Sequence, residues 1–445
     1  MTDRTRSSQG IRGISVQGYK CLHERQDLDI RPLTVLAGVN SSGKSSVMQP
    51  LLLLKQTLDA TYDPGPLLLD GPHVSVTAID QILSRAQTQE TRERSFSVGV
   101  EVGDQHCLMR YGKDKGRDLR VLELIGSLLP GPATPVSIHE GMSPEEIFEV
   151  FPHLREVFLP ALLKESLPAV WRERCFLQLY LQRHVEQRPI LIPYTFAASS
   201  VNEVEREIIR IIHLPALRGD PCRTYRTAAV EGRYPGPFDT YTAGIISAWQ
   251  NREHTEPLTQ LGSDLEELGL TWKAEARQLD DTQVELLVGR LPHATRDGAH
   301  DLVNIADVGF GVSQTLPVIV ALLAADPGQL VYLEQPEIHL HPRAQVRFAR
   351  LLERAVDRGA RVVIETHSSL LIRGIQTLTA QSSLKPDDVA LHWFARDEKT
   401  GHTKVSSAEL DEAGAYGQWP EDFDDVHLDA ESDYLDAAAR RAATQ

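Results

Sequence analysis

Cysteine is scarce: Cys21, Cys107, Cys175 and Cys222 are the only four in 445 residues, and no two form a CxxC pair. That spacing excludes a zinc-ribbon site and a disulfide framework, and it fits packing residues in a reducing cytoplasm. Long apolar runs are missing too. Clusters such as "PLLLLK" fall well short of the roughly 18 residues that read as a membrane span. The opening "MTDRTRSSQG" has no apolar signal segment. The expectation is a cytoplasmic chain without a membrane partner.

Positive charge is in deficit, with 46 Lys and Arg against 62 Asp and Glu and a formal charge of −16. This argues against coating nucleic acid through a diffuse basic surface and leaves only a local basic groove open. Repeats, sustained heptads and low-complexity segments are absent, so no long coiled-coil arm is expected. What is present is a globular composition, 41% hydrophobic and 24% charged, long enough for two or three domains.

The clearest motif lies in "LTVLAGVNSSGKSSVMQPLLLLKQTL", where a strand-like run over 33–37 leads through a loop of small residues into an apolar helical stretch. Gly38, Asn40, Ser42, Gly43, Lys44 and Ser45 belong to a segment that fits GxxxxGK followed by Ser or Thr, and Ser46 follows directly. Glycines let backbone N–H groups curl around phosphates, Lys44 supplies a point charge, Ser45 ligates Mg²⁺, and the helix N-terminus adds its dipole. Pro50 should bend the following helix.

Further along, "DVGFGVSQTLPVIVALLAA" reads as a Gly-rich turn entering a helix, with Ser313 as N-cap and Pro317 in the first turn. "LVYLEQPEIHLHP" is a buried strand whose terminal Glu334 can reach Mg²⁺ directly or through water. "RVVIETHSSLLI" is a β-branched strand running to Glu365, Thr366 and His367, a position from which a histidine can contact a γ-phosphate.

In order and spacing these motifs resemble ABC-type ATPase heads of the SMC, RecF and OLD kind. The resemblance implies an α/β P-loop NTPase of ABC-head type, with a mixed sheet and an inserted, partly helical lobe. It makes Lys44 and Ser45 the Walker A residues, Gly309, Gly311, Ser313 and Gln314 parts of the signature turn, Glu334 the Walker B acid and His367 the switch histidine. Ser45 and Glu334 are the expected metal residues, and ATP with Mg²⁺ the expected ligands. "GFGVSQTLPVIVAL", "LEQPEIHLHPRAQ", "IETHSSLLI" and "HLPALRGDPCRTYR" look more narrowly like a bacterial family of stand-alone ATPases often encoded beside defence genes.

Two positions depart from the pattern. Gly309 stands where the signature serine is usual, and Gln335 where a catalytic glutamate is expected. Glutamine can orient water but cannot take its proton, and losing a general base costs about 10²–10⁴-fold in rate. Glu337 or His339 is the candidate substitute. The expectation is an ATPase with weak turnover whose ATP-bound state does the work.

The domains are expected as 1–110, the first part of the head; 111–200, a mostly helical inserted lobe; 201–375, the second part of the head; and 376–445, a C-terminal extension. Leading into the insert, "RSFSVGVEV" and "HCLMRYG" alternate as strands do, whereas 143–185 reads as helical. There "SPEE" supplies a capping box at Ser143 and Glu146, and Ile147, Val150, Leu154, Val157 and Phe158 recur near helical spacing.

Trp171, Arg172, Arg174, Tyr180 and Arg183 form either a docking surface or core aromatics beside a solvated face. Arg218, Arg223 and Arg226 either bind phosphate or answer local acids. His339 and His341 more simply shape a turn than bind metal, and in "PEDFDD" the stretch 421–425 reads as a solvated acidic tail rather than a nuclease-like Mg²⁺ site.

Because the phosphate loop and signature turn lie at different edges of one head, the resemblance implies a homodimer or higher oligomer in which each signature turn caps the partner's ATP. A protein effector and a role in antiviral defence are expected. The rivals are a DNA-repair or chromosome-handling ATPase, which needs a basic groove, and a transporter nucleotide-binding subunit, which needs a membrane partner. No separate nuclease motif is seen.

Overall fold

Six consecutive buried residues, Leu33–Gly38, form a strand covered on both faces, as parallel strands are. The computed structural model describes residues 10–85, 94–113, 118–126, 135–152, 154, 166–185, 188–193, 199–227, 232–252, 255–293, 301–417 and the positions 432, 434, 435 and 441. In chain order the strands are β1 (Ile11–Gln17), β2 (Gln26–Asp29), β3 (Leu33–Gly38), β4 (Ser95–Val102), β5 (Gln105–Lys113), β6 (Leu119–Gly126), β7 (Val136–Ile138), β8 (Ser166–Glu173), β9 (Phe176–Val185) and β10 (Arg188–Pro193). They continue with β11 (Ile212–Leu214), β12 (Tyr225–Arg226), β13 (Ala274–Gln278), β14 (Gln283–Gly289), β15 (Leu302–Asn304), β16 (Leu330–Glu334), β17 (Arg361–Thr366), β18 (Val389–Arg396) and β19 (Thr403–Ala408).

The central sheet runs β11-β16-β17-β3-β18-β19, parallel except for the β18–β19 pair. Side chains alternate across it. Leu36, Tyr332, Val363 and Phe394 join one core with the helix Lys44–Asp59 and with strands of the antiparallel sheet β2-β1-β4-β5-β6-β7. Val35, Leu333 and Ile364 join the other core, with the helices Phe310–Ala324, Pro342–Asp357 and Ser369–Ala380. The expected α/β head with sheets of both kinds is what forms. No described helix is long and apolar enough to cross a membrane.

Residues 376–445, expected as an extension, instead contribute β18, which pairs directly with β3, and β19 beyond it. The 143–185 region also differs from its helical expectation. Its capping box is real, with Ser143 Oγ accepting from the Glu146 N–H and Glu146 accepting from the Ser143 N–H, but the helix Pro144–Val150 is short. From Ser166 onward the chain forms the antiparallel sheet β10-β9-β8. Period-two burial in "SLPAVWRE", with Ser166, Pro168 and Val170 inward, outweighs the helical spacing. Ile147 and Leu154 are buried; Val157, Phe158 and the acidic tail over 421–425 lie outside the described residues.

Arg174 shows what the insert does for the head. In the turn between β8 and β9, its Nη1 donates to the carbonyls of Thr57, Leu58 and Ala60 at 3.0, 2.9 and 2.9 Å, closing the C-terminal end of the helix Lys44–Asp59. Arg172 pairs with Asp63 close by. Arg174→Ala should therefore lower unfolding stability by about 1.5–3 kcal/mol. A urea melt matching the parent's would refute this anchoring role.

Candidate functional site at the strand ends

Parallel pairing brings Gly38, Glu334, Glu365 and Thr366 to one edge of the central sheet. Glu334 lies opposite Glu365, Glu365 opposite Leu36, and Thr366 opposite Ala37. This is the carboxyl edge, where ligands of such sheets bind.

The phosphate loop is tightly enclosed. Gly38 and Gly43 have φ of 145° and 101°. A Cβ on Gly38 would lie 2.2 Å from the Phe394 carbonyl oxygen, and one on Gly43 2.6 Å from Cys21 Sγ. Only glycine fits both conformation and space. Thr403 Oγ1 donates to the Ser42 carbonyl at 2.6 Å, and Thr403 N–H donates to the Cys21 carbonyl at 2.9 Å, so β19 and the β1–β2 turn clamp the loop together. Asn40 is exposed on the loop, whereas Ser42 and Ser46 are buried.

Lys44 Nζ donates to the carbonyls of Gly38 and Val39 at 3.0 and 2.9 Å. Burial pushes its pKa down, opposed by the Glu365 charge. Ser45 Oγ contacts both oxygens of Glu365, at 2.8 and 3.0 Å, and Tyr332 OH donates to the same carboxylate at 3.0 Å. Burial raises the Glu365 pKa, with the Ser45 hydrogen bond opposing and the Glu334 charge adding to the rise.

Glu334 is engaged elsewhere. Its Oε1 lies 3.1 Å from His213 Nε2, and its Oε2 accepts from the Ala216 N–H at 3.2 Å. Burial pushes its pKa up, but the His213 hydrogen bond carries it below the ordinary carboxyl value. His213 Nδ1 in turn lies 2.8 Å from Nδ1 of His73, which burial and then His213 push down to about 2. An ionised Glu334 only accepts, so His213 Nε2–H donates to it; a neutral His213 ring then accepts from His73 Nδ1–H. Gln56 fixes this arrangement from the phosphate-loop helix, its Oε1 taking the N–H groups of His73 and Val74.

Gln335 sits at φ 43°, its N–H donating to the Glu365 carbonyl at 2.7 Å. Glu337 is buried under the next turn, where Oε1 accepts from Thr366 Oγ1 at 2.5 Å and from the His367 N–H at 3.3 Å. Burial raises its pKa. It braces the turn that carries Thr366 and His367. His367 is half-buried, its pKa lowered by burial and by the Lys44 charge, with a hydrogen bond to the Gly38 backbone opposing.

The signature helix corrects two expectations. Its N-cap is Gly309, and Ser313 lies inside the helix, its Oγ donating to the Phe310 carbonyl at 3.4 Å. Pro317 lies in the helix interior, not its first turn. Arg218 is buried: its guanidinium donates to the carbonyls of Gln314 and Glu334 at 2.9 and 3.1 Å, tying the helix Phe310–Ala324 to β16, and the charges of Asp239, Glu337 and Glu334 oppose the fall in its pKa that burial causes. Gln314 Nε2 returns a bond to the Gly219 carbonyl at 3.2 Å. Arg223 pairs with Asp307, and Arg226 is exposed. His341 Nδ1 caps the helix Pro342–Asp357, and His339 stacks on Phe310.

Sequence reading missed Glu365, Tyr332, His213 and His73. Glu365 carried the same signal as Glu334, an acid at the end of a buried strand.

The residues fit a magnesium nucleotide. Glycines shape the loop, Ser42 Oγ and Glu337 Oε2 are buried without a hydrogen-bond partner, and Ser45 with the strand-end acids offers hard oxygen donors. A family model described as "AAA domain, putative AbiEii toxin, Type IV TA system" matches residues 33–373. No curated protein matches the chain.

Solved structures similar to it include an SMC head bound to the C-winged helix domain of ScpA, at 11% identity and TM-score 0.48, covering 91% of this chain and 99% of that one. The SMC head domain from Thermotoga maritima is similar at 10% identity and TM-score 0.42, covering 90% and 100%. A Pyrococcus furiosus Smc head with an extended coiled coil, bound to the C-terminal domain of ScpA, is similar at 9% and 0.45, covering 90% and 96%.

Proposed function

The chain belongs to the family described as AAA domain, putative AbiEii toxin, Type IV TA system, and on that premise we propose that it is an ATPase of ABC-head type that binds ATP with Mg²⁺ and hydrolyses it slowly. The observation that carries the reading is the meeting of Lys44, Ser45, Glu365, Glu334 and His367, distant in sequence, at one strand edge. The loop cradles the phosphates, and Lys44 turns from its own carbonyls to their charge. Ser45 and an acid at the strand ends would hold Mg²⁺, which when bound neutralises phosphate charge. His367 contacts the γ-phosphate, and Gln335 orients water without taking its proton, so the ATP-bound state is the long-lived one.

A second copy of the chain completes the site, its signature turn capping the nucleotide to give two equivalent sites. Support comes from the loops around the edge, which expose Val39, Leu217, Phe310 and Ile338. Large apolar side chains of this kind mark a surface to be covered. Closure acts on a protein effector in the cytoplasm, and the toxin–antitoxin description of the family fits a regulatory role in antiviral defence.

The test is Gly309→Trp. A Cβ at Gly309 meets nothing within 4 Å, so the single chain accommodates the change. Distances between spin-labelled heads should shorten with ATP in the parent and stay long in the variant, with nucleotide affinity unchanged. Full turnover by a strictly monomeric Gly309→Trp chain would exclude head pairing.

A further inference from the structure

Glu365 is the acid to which the resemblance gives no role, and its placement says most about the metal. β17 lies between β16 and β3, so Glu365 is one strand from the phosphate-loop strand and Glu334 two, with neighbouring strands about 4.8 Å apart. Both Glu365 oxygens face the Ser45 hydroxyl. Both Glu334 oxygens are occupied, by His213 and by the Ala216 N–H.

We propose that Glu365, not Glu334, is the carboxylate facing the divalent cation on Ser45, directly or through water, and that Glu334 is held back by the His213–His73 pair as a positioning group. The assignment rests on the reading of this site as an ATP site. Mg²⁺ demands oxygen ligands but keeps several waters, so one or two protein donors beside the nucleotide phosphates suffice. A serine hydroxyl and a carboxylate already in contact form such a pair: the hydroxyl oxygen and the carboxylate both present lone pairs to a cation that enters between them. Charge points the same way. The position after Glu334 is the neutral Gln335, and the buried carboxylate on the adjacent strand restores the missing negative charge next to the loop. Tyr332, donating to Glu365 from β16, fixes that carboxylate's orientation.

The experiment titrates Mn²⁺ into the full chain with saturating ADP, reading free Mn²⁺ by electron paramagnetic resonance, for the parent, Glu365→Gln, Glu365→Asp and Glu334→Gln. Fluorescent ADP binding in EDTA provides a readout independent of metal. Glu365→Gln should weaken Mn²⁺ binding by about 10- to 100-fold, keep metal-free ADP binding, and lose more metal affinity than Glu334→Gln. Should Glu365→Gln not fold, the shorter Glu365→Asp, which keeps the charge, decides by the same comparison.

Unchanged Mn²⁺ affinity in a folded Glu365 variant, or a larger loss in Glu334→Gln, overturns the assignment and leaves the ATP reading standing. A parent that binds no ADP with or without metal overturns both.

Discussion

Lys44→Ala is expected to reduce ATP affinity to the edge of detection. The ammonium is almost fully buried at the loop, bonded to the Gly38 and Val39 carbonyls, and the Glu365 charge opposes the effect of that burial. A cation held in so dry a place interacts with phosphate far more strongly than a surface lysine does. Truncating one partner of a buried, hydrogen-bonded charge pair costs about 2–5 kcal/mol, or roughly 30- to 5000-fold in affinity. The alanine also strands two loop carbonyls, so circular dichroism must show a folded chain before the comparison counts. Equal ATP affinity for folded variant and parent in calorimetry would remove the basis of the ATPase reading.

The phosphate loop was legible because its demands are local. A buried strand, glycines at fixed places and a lysine opening a helix are all visible in a short window, and Gly38 and Gly43 occupy conformations that other residues rarely adopt. Glu365 was visible as an acid at a strand end, but its importance depends on lateral order. It follows Glu334 in sequence yet lies nearer the phosphate loop, because β17 inserts between β16 and β3. His213 and His73 were illegible for the same reason: one reaches Glu334 through the pairing of β11 with β16, the other through a loop pinned by Gln56.

The signature helix was misjudged at Pro317 because proline is ordinarily read as a first-turn residue. Here it cannot donate to the Ser313 carbonyl, and beside that gap Arg218 supplies a donor to Gln314. A distant side chain thus supports a helix that local rules would end. In the insert, Val170 and Phe176 pack into the same core as the phosphate-loop helix, so tertiary burial selected strands over the helical spacing.

Gln335→Glu is expected to raise ATP turnover, within the range of about 10²–10⁴-fold that a positioned general base contributes. Glutamate and glutamine have nearly the same shape, and the Gln335 backbone is held on both sides: its N–H bonds the Glu365 carbonyl, and its carbonyl accepts from the Ile338 N–H at 3.3 Å. The left-handed turn at φ 43° should therefore survive the change. An acid there would lie close to Glu334 and Glu365, whose charges favour its protonated form and move its basicity toward neutral pH. The gained rate should accordingly rise with pH as the new carboxyl loses its proton, whereas the parent's slow rate lacks that titration. Glu337 is poorly placed to do this work already, since one oxygen is taken by Thr366 and the His367 N–H and burial favours its neutral form. Steady-state phosphate release at saturating ATP, measured across pH on folded parent and variant, tests the point: a rate that stays flat or falls in Gln335→Glu would mean that a base elsewhere already serves the reaction, with Glu337→Gln the next substitution to make.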